Sequence, residues 1–276
     1  MTLNAPRFLP VAPQLIVLHC SASSPGQWEP YRPMIDPATR WIAPPLQGYG
    51  SESPWPLGAP TTLAAEARRV LAILAGSGGH VDLVGHSYGG AVALQVASAW
   101  PERIRSVTVY EPVLFHLLQE DTQSAALASE VRCVAADIAS RLHAGDGEGA
   151  GKRFVDYWSG PGTWSRIGSR MRAALALRMS KVSAEFRALF AATTEFAGLA
   201  EGGPQVRLVA GTDSPAPVHR IMKLLQDLLP HAATTEVRGA GHMAPVHNPV
   251  TLAPLLFPEH VQPEVPIRVQ PLALAA

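Results

Sequence analysis

The chain is short of cysteine, of charge and of long apolar runs, and each shortage excludes something. Two cysteines, Cys20 and Cys133, are too few for a disulfide framework, although one pair could still bridge. A reducing cytoplasm is the expected setting. Charged residues make up 16% of the chain, against roughly 25% in an average soluble protein. The 22 Lys and Arg balance the 22 Asp and Glu, so the basic footprint of a nucleic-acid binder is missing. No apolar stretch approaches the roughly 18 residues of a membrane span, and the start of the chain, broken by Pro6, does not read as a signal peptide. No P-loop, C-x-x-C pair or H-E-x-x-H occurs, so neither a cofactor nor a metal is expected. What the chain has in plenty is apolar residues. At 47% of 276 residues they suffice for one large core.

The apolar runs are ordered. Leu15-Ile16-Val17-Leu18 is a short continuous run between a proline-rich start and the small polar stretch Ser21 to Gly26, the pattern of a strand buried on both faces. A brief strand is expected near Trp41-Ile42. A helix should follow, capped by Thr61 or Thr62, with Leu63, Ala67, Val70, Leu71 and Leu74 in helical spacing and Gly76 past its end. Val81 to Val84 reads as strand, Ala91 to Ala99 as helix and Ser106 to Tyr110 as strand. Such alternation marks a parallel sheet with helices on both faces. From Phe115 to about Ala200 it stops, and the pattern is helical, with a flexible interruption expected at Gly145 to Gly151 and the clearest helix from Met171 to Phe190. It resumes with Val206 to Val209 as strand, Val218 to Leu229 as helix, Thr235 to Val237 as strand and a last helix near Val250 to Leu256. The expected organisation is an α/β core over residues 1–114 and 201–257, a helical cap inserted at 115–200, and a loosely held, proline-rich tail at 258–276.

Gly85-His86-Ser87-Tyr88-Gly89 satisfies G-x-S-x-G between a predicted strand and a predicted small-residue helix. At a sharp strand-to-helix turn the serine hydroxyl is exposed and the flanking glycines let backbone pass closely. A serine is a poor nucleophile at neutral pH, so a base must accompany it. Gly239-Ala240-Gly241-His242 supplies one after the last predicted strand.

With these pieces in place the chain resembles the α/β-hydrolase family, in particular its compact bacterial members with a helical cap. The resemblance runs from about residue 14 to 257. It rests on Leu18-His19-Cys20 where the family usually has His-Gly, on Gly48-Tyr49-Gly50-Ser51, on the turn at Ser87, on Gly211 after the penultimate strand, and on His242. It implies an oxyanion hole made by the N–H groups of Ser21 and Tyr88, with His19 beside the substrate. The sequence departs from the family at three points. Only about 14 residues precede the first strong strand, Cys20 replaces a glycine, and Ser214 stands where the triad acid is usual. Two acids compete for that role: Asp213, one residue early, and Glu111, at the end of an earlier strand, where some relatives such as certain haloalkane dehalogenases carry it. A glutamate at the end of a buried strand needs a partner, and the His242 ring would serve.

Aromatic residues Phe154, Tyr157, Trp158 and Trp164 gather around Gly160-Pro161-Gly162 in the expected cap, either lining an apolar pocket over Ser87 or forming the cap's own core. A small apolar ester is the expected substrate, then an amide, lactone or carbon–carbon bond next to a ketone. Acyl transfer or perhydrolysis could use the same residues, and a silent ligand-binding member of the fold is the alternative from another class. Serine in place of aspartate at the turn argues against dehalogenase and epoxide-hydrolase chemistry. Nothing in the sequence argues for an oligomer.

Overall fold

The computed structural model describes residues 12–50, 54–76, 78–200 and 202–262. Six strands form one sheet: β1 (Gln14–Leu18), β2 (Arg40–Ile42), β3 (Val81–His86), β4 (Ile104–Tyr110), β5 (Gln205–Gly211) and β6 (Ala233–Val237). Their order is β2-β1-β3-β4-β5-β6, and every pair is parallel. From β1 the chain moves to one side, and from β3 it moves to the other. The carboxyl ends of β1 and β3 therefore flank the topological switch point, where sheets of this kind open a crevice.

Alternating side chains feed two cores. Ile16, Leu18, Leu83, Val107, Val109 and Leu208 face helices α1 (Leu63–Ala75), α2 (Tyr88–Ala99) and α9 (Ala216–Leu228). Leu15, Val17, Val84, Tyr110 and Val209 face a 3-10 segment, Pro25–Met34, and helices α10 (Ala244–His247) and α11 (Pro249–Leu256). Thr62 caps α1, its hydroxyl accepting from the Ala65 N–H at 3.0 Å, and Gly76 closes the helix as expected. The 3-10 segment has no signature in the sequence beyond its prolines. It holds Trp28 and Tyr31, both fully buried, against Phe257.

Between β4 and β5 lie α3 (Phe115–Glu120), α4 (Ala125–His143), α5 (Gly147–Ser159), α6 (Thr163–Arg166), α7 (Ser169–Phe190) and α8 (Ala197–Ala200). The glycine-rich stretch that reads as a flexible interruption is mostly helix. Asp146 accepts from the Gly149 N–H at 2.7 Å and starts α5 at Gly147, so the break is confined to the turn at Gly145, where φ is +76°. A good cap outweighs three glycines once the helix packs on its neighbours.

The end of the described chain also differs from expectation. The sequence places a loose tail from Pro258, yet His260 is buried, its Nε2 2.7 Å from Asp82 Oδ2 on β3 and its Nδ1 3.1 Å from Thr39 Oγ1. Val261 bridges Ile35, and Gln262 hydrogen-bonds the Met34 carbonyl. Asp82, inside an otherwise apolar strand, needs these partners: with His260, Arg105 and Ser106 around it, its carboxyl is held down to about 2 despite burial. The remaining tail prolines, Pro263, Pro266 and Pro271, lie outside the described residues, as does Ser51.

Candidate active site

Ser87 sits between β3 and α2 with φ +55° and ψ −117°, a strained conformation for a residue with a side chain. The turn closes because a Cβ at Gly85 would strike the Gly89 backbone and one at Gly89 would strike the carbonyl oxygens of Leu18 and His19. The strand ladder continues into the turn, with Ser87 N–H donating to Tyr110 O at 3.0 Å. Parallel strands end together, which brings Ser87, the loop after β1, Glu111 after β4 and His242 after β6 to one edge of the sheet.

There Ser87 Oγ lies 2.9 Å from His242 Nε2, and His242 Nδ1 lies 2.7 Å from Glu111 Oε2. All three are buried. The second carboxylate oxygen of Glu111 accepts from the Gly211 N–H at 2.7 Å and the Ser214 hydroxyl at 2.6 Å. Of the two competing acids, geometry joins Glu111 to His242 and leaves Asp213 apart. Asp213 is exposed and bonds the neighbouring Thr212 hydroxyl at 2.9 Å. The residue in the usual acid position, Ser214, donates to the acid on the earlier strand.

A second chain of hydrogen bonds supports the first. The Cys20 N–H donates to Gln27 Oε1 at 3.0 Å, the Gln27 amide meets His86 Nδ1 at 3.1 Å, and His86 Nε2 meets the His242 carbonyl at 2.8 Å. A carbonyl only accepts, so His86 carries its proton on Nε2 and takes the Gln27 amide on Nδ1. Burial, aided by the neighbouring His242, pushes His86 well below the ordinary histidine range, which keeps it neutral. Neither His86 nor Gln27 stands out in the sequence as more than a motif filler and a loop residue.

The residues expected to supply the oxyanion donors, Ser21 and Tyr88, lie after β1 and at the start of α2. Tyr88 is the first residue of α2, where backbone N–H groups have no helical partner. Ser21 lines the same small cavity as Ser87, just before the left-handed Ala22 at φ +56°. The Cys20 N–H is committed to Gln27 and is not available to a substrate. The Cys20 thiol is buried and pushed up to about 12, so it is held as an inert thiol.

Of the residues expected around the pocket, His19, Trp164 and Tyr157 sit elsewhere than over Ser87, whereas Phe154 and Trp158 line the small cavity beside it. His19 is fully buried: its Nδ1–H donates to the Cys20 carbonyl at 2.8 Å and its Nε2 accepts from the Leu46 N–H at 3.1 Å. Burial lowers it to about 4, so it is a neutral strut for the loop after β1 and not a surface for substrate. Trp164 packs over Gly151 inside the helical block. Tyr157 faces an outer groove of about 720 Å³ and donates its hydroxyl to Glu130 at 2.7 Å. Trp158 reaches the centre. Its ring lies 4.4 Å from the His242 ring, tilted by 31°, and it lines both the outer groove and the inner cavity of about 10 Å³ beside Ser87. The other walls of that cavity are Val113, Phe115, Phe154, Phe186, Leu189 and one carboxyl, Glu185.

Sequence reading also misses a buried ionic cluster under α7. Lys181 is fully buried and pairs with Glu66 of α1 at 2.7 Å and with Glu185 at 3.5 Å, its ammonium facing the rings of Tyr49, Trp55 and Tyr88. The available signal was a Lys and a Glu four residues apart, flanking the apolar stripe of Val182, Phe186 and Leu189. Among the described residues, no group of three or more His, Cys, Asp and Glu side chains is arranged to hold a metal ion. No helix among them is long and apolar enough to cross a membrane.

The chain is similar to known proteins in sequence and in fold. Over 73 residues, 26% of this chain and 27% of the other, the chain is 41% identical to "Lipase LipV" of Mycobacterium tuberculosis. Its fold is similar to that of a hydrolase from Pseudomonas aeruginosa, at TM-score 0.67 and 22% identity over 87% of each chain. It is also similar to MGS-M2, an α/β hydrolase from a deep-sea metagenome library, at TM-score 0.73 and 14% identity over 93% of this chain and 89% of that one. The sequence profile of the α/β-hydrolase family matches residues 15–255. With a six-stranded parallel sheet flanked by helices among the described residues and that match over most of its length, the chain belongs to the α/β-hydrolase family.

Proposed function

We propose that the protein is a serine hydrolase that cleaves a small carboxylic ester through an acyl-enzyme, with Ser87, His242 and Glu111 as its triad. The observation that carries this reading is the unbroken line from Ser87 Oγ to His242 Nε2 at 2.9 Å and from His242 Nδ1 to Glu111 Oε2 at 2.7 Å. A carboxylate only accepts, so Nδ1 holds the ring proton and Nε2 is free to take another. Ser87 attacks the ester carbonyl carbon as its proton passes to Nε2, and the carbonyl π electrons move onto oxygen. The N–H groups of Ser21 and Tyr88 then receive the oxyanion, aided by the N-terminus of α2. His242 returns the proton to the departing alkoxide, and the acyl-enzyme forms. Water, deprotonated by the same Nε2, repeats the sequence and releases the acid.

The buried, fully hydrogen-bonded Glu111 supports the orienting role, since its charge is met by His242, Gly211 and Ser214 together. The helices from Phe115 to Ala200 act in this reading as a cap, with Trp158 separating the outer groove from the inner cavity. A partial match to a protein named a lipase favours an ester over an amide. The test is labelling with a fluorophosphonate, locating the modified peptide by mass spectrometry, and following turnover of p-nitrophenyl butyrate. Label on Ser87, lost together with turnover in a folded Ser87→Ala protein, is the expected result. Retained turnover in Ser87→Ala would end the assignment.

A further inference from the structure

Glu185 is the one group in the inner cavity that the proposed reaction leaves unused. Its residue is 1% exposed, and it shares the cavity with Ser87 and Ser21. Neither of its carboxyl oxygens is in a well-formed hydrogen bond, with the Ser21 and Tyr49 hydroxyls and the Lys181 ammonium as polar neighbours. The nearest cation, Lys181 at 3.5 Å, already gives its shorter contact, 2.7 Å, to Glu66. The cluster is therefore neutral with Glu66 and Lys181 alone, and Glu185 is a carboxyl in excess. Desolvation raises it to about 7, with Lys181 and the nearby Ser21 and Tyr49 hydroxyls tempering the rise, so a neutral group is present at and below neutral pH. A buried polar group without a partner costs about 1–3 kcal/mol, so one lining a cavity calls for a partner that the protein itself does not supply. The remaining walls are Val113, Phe115, Phe154, Trp158, Phe186 and Leu189, which offer a ligand no hydrogen bond through their aliphatic and phenyl surfaces.

We propose that Glu185 determines substrate specificity by accepting a hydrogen bond from a hydroxyl group of the ester that enters the inner cavity, whose roughly 10 Å³ admits one water-sized group, so that the preferred substrate is a hydroxylated, otherwise apolar ester. The inference rests on Ser87 being the nucleophile. An alkyl ester brings no donor to this space and leaves Glu185 with only the 3.5 Å contact to Lys181. A hydroxyl placed there would satisfy the carboxyl in either protonation state, because a carboxylate accepts and a carboxylic acid both accepts and donates. Discrimination of this kind, from a site built around a polar group, exceeds what apolar packing supplies. A bulky charged group is disfavoured by the same aromatic walls.

The experiment compares kcat/KM for p-nitrophenyl 3-hydroxybutyrate with p-nitrophenyl butyrate, and for 2-hydroxyethyl butyrate with ethyl butyrate, which places the hydroxyl on either side of the scissile bond. The expected result is a preference of about tenfold or more for the hydroxylated member of one pair. Glu185→Leu should abolish that ratio, whereas Glu185→Gln, which keeps an acceptor and a donor, should retain most of it. The ratio is the readout because general damage to the enzyme scales both members alike. Lys181 keeps Glu66 in each variant, and Glu185→Met, similar in length, replaces the leucine variant if that one does not fold. No preference in either pair, or a preference unchanged by Glu185→Leu, would overturn the role of Glu185. Fluorophosphonate labelling of the same preparations separates the two failures. Labelled Ser87 without a hydroxyl preference refutes this inference alone, and unlabelled Ser87 refutes the nucleophile assignment and this inference with it.

Discussion

Replacing Glu111 with glutamine removes one charge and almost no volume, which makes it the sharpest probe of the site. In the native arrangement Oε1 accepts from Gly211 N–H and the Ser214 hydroxyl, while Oε2 faces His242 Nδ1. Both Oε1 partners are donors, so the glutamine carbonyl oxygen takes that position and its NH2 group is left facing the ring. Two donors cannot face each other. The imidazole must then present a lone pair at Nδ1 and carry its proton on Nε2, where it points at Ser87 and cannot accept. An orienting acid of this kind is worth roughly 10⁴ in kcat, or about 5 kcal/mol at 1.36 kcal/mol per tenfold. The fold should survive, because Gly211 and Ser214 keep an acceptor. The assay is p-nitrophenyl butyrate turnover with fluorophosphonate labelling rate, each checked against a melting curve. Asp213→Asn, at an exposed carboxylate with only a local partner, should stay within about twofold of wild type. Turnover by Glu111→Gln within tenfold of wild type, or a comparable loss in Asp213→Asn, would refute the argument.

Other perturbations read other parts of the structure. Glu185, whose carboxyl rises from 4.5 unfolded to about 7 folded, contributes stability that is complete below pH 4.5 and lost as pH rises through 7. Relative to wild type, Glu185→Gln should therefore gain about 3 kcal/mol between pH 4.5 and pH 7.5 in urea unfolding, and a difference flat with pH would contradict the burial argument. Gly89→Ala forces a methyl group into the Leu18 and His19 carbonyls, backbone that cannot swing away, so soluble yield or melting temperature should collapse; a protein as stable as wild type would show that the turn is looser than described. Ending the chain after Phe257 removes His260 from Asp82 and Thr39. It should cost about 1–3 kcal/mol, seen as a fall of several degrees in Tm, where an unchanged melting transition would make the contact decorative.

Much of this molecule is legible in one dimension. Runs such as Leu15 to Leu18 must be strands buried on both faces, and their alternation with helical spacing leaves little choice beyond a parallel sheet, because period and burial are local properties of the chain. Gly85 to Gly89 marks the turn for the same reason: only glycines let two backbones come that close. Ser87 and His242 are thus visible as a pair before any coordinates exist. The acid is not. Asp213 and Glu111 differ by which strand end reaches the His242 ring, and that depends on sheet register, with Glu111 N–H held by Val209 O at 3.0 Å while Ser214 turns toward the carboxyl. His19 resembles a substrate contact in sequence, but the Cys20 carbonyl after β1 and the Leu46 N–H after β2 satisfy both its nitrogens. Lys181, Glu66 and Glu185 look like ordinary helix-surface charges until the fold brings Lys181 of α7 to Glu66 of α1 and removes all three from water. Periodicity decides which residues leave solvent along an element, whereas burial of a charge depends on what is laid against it, and only the folded chain supplies that.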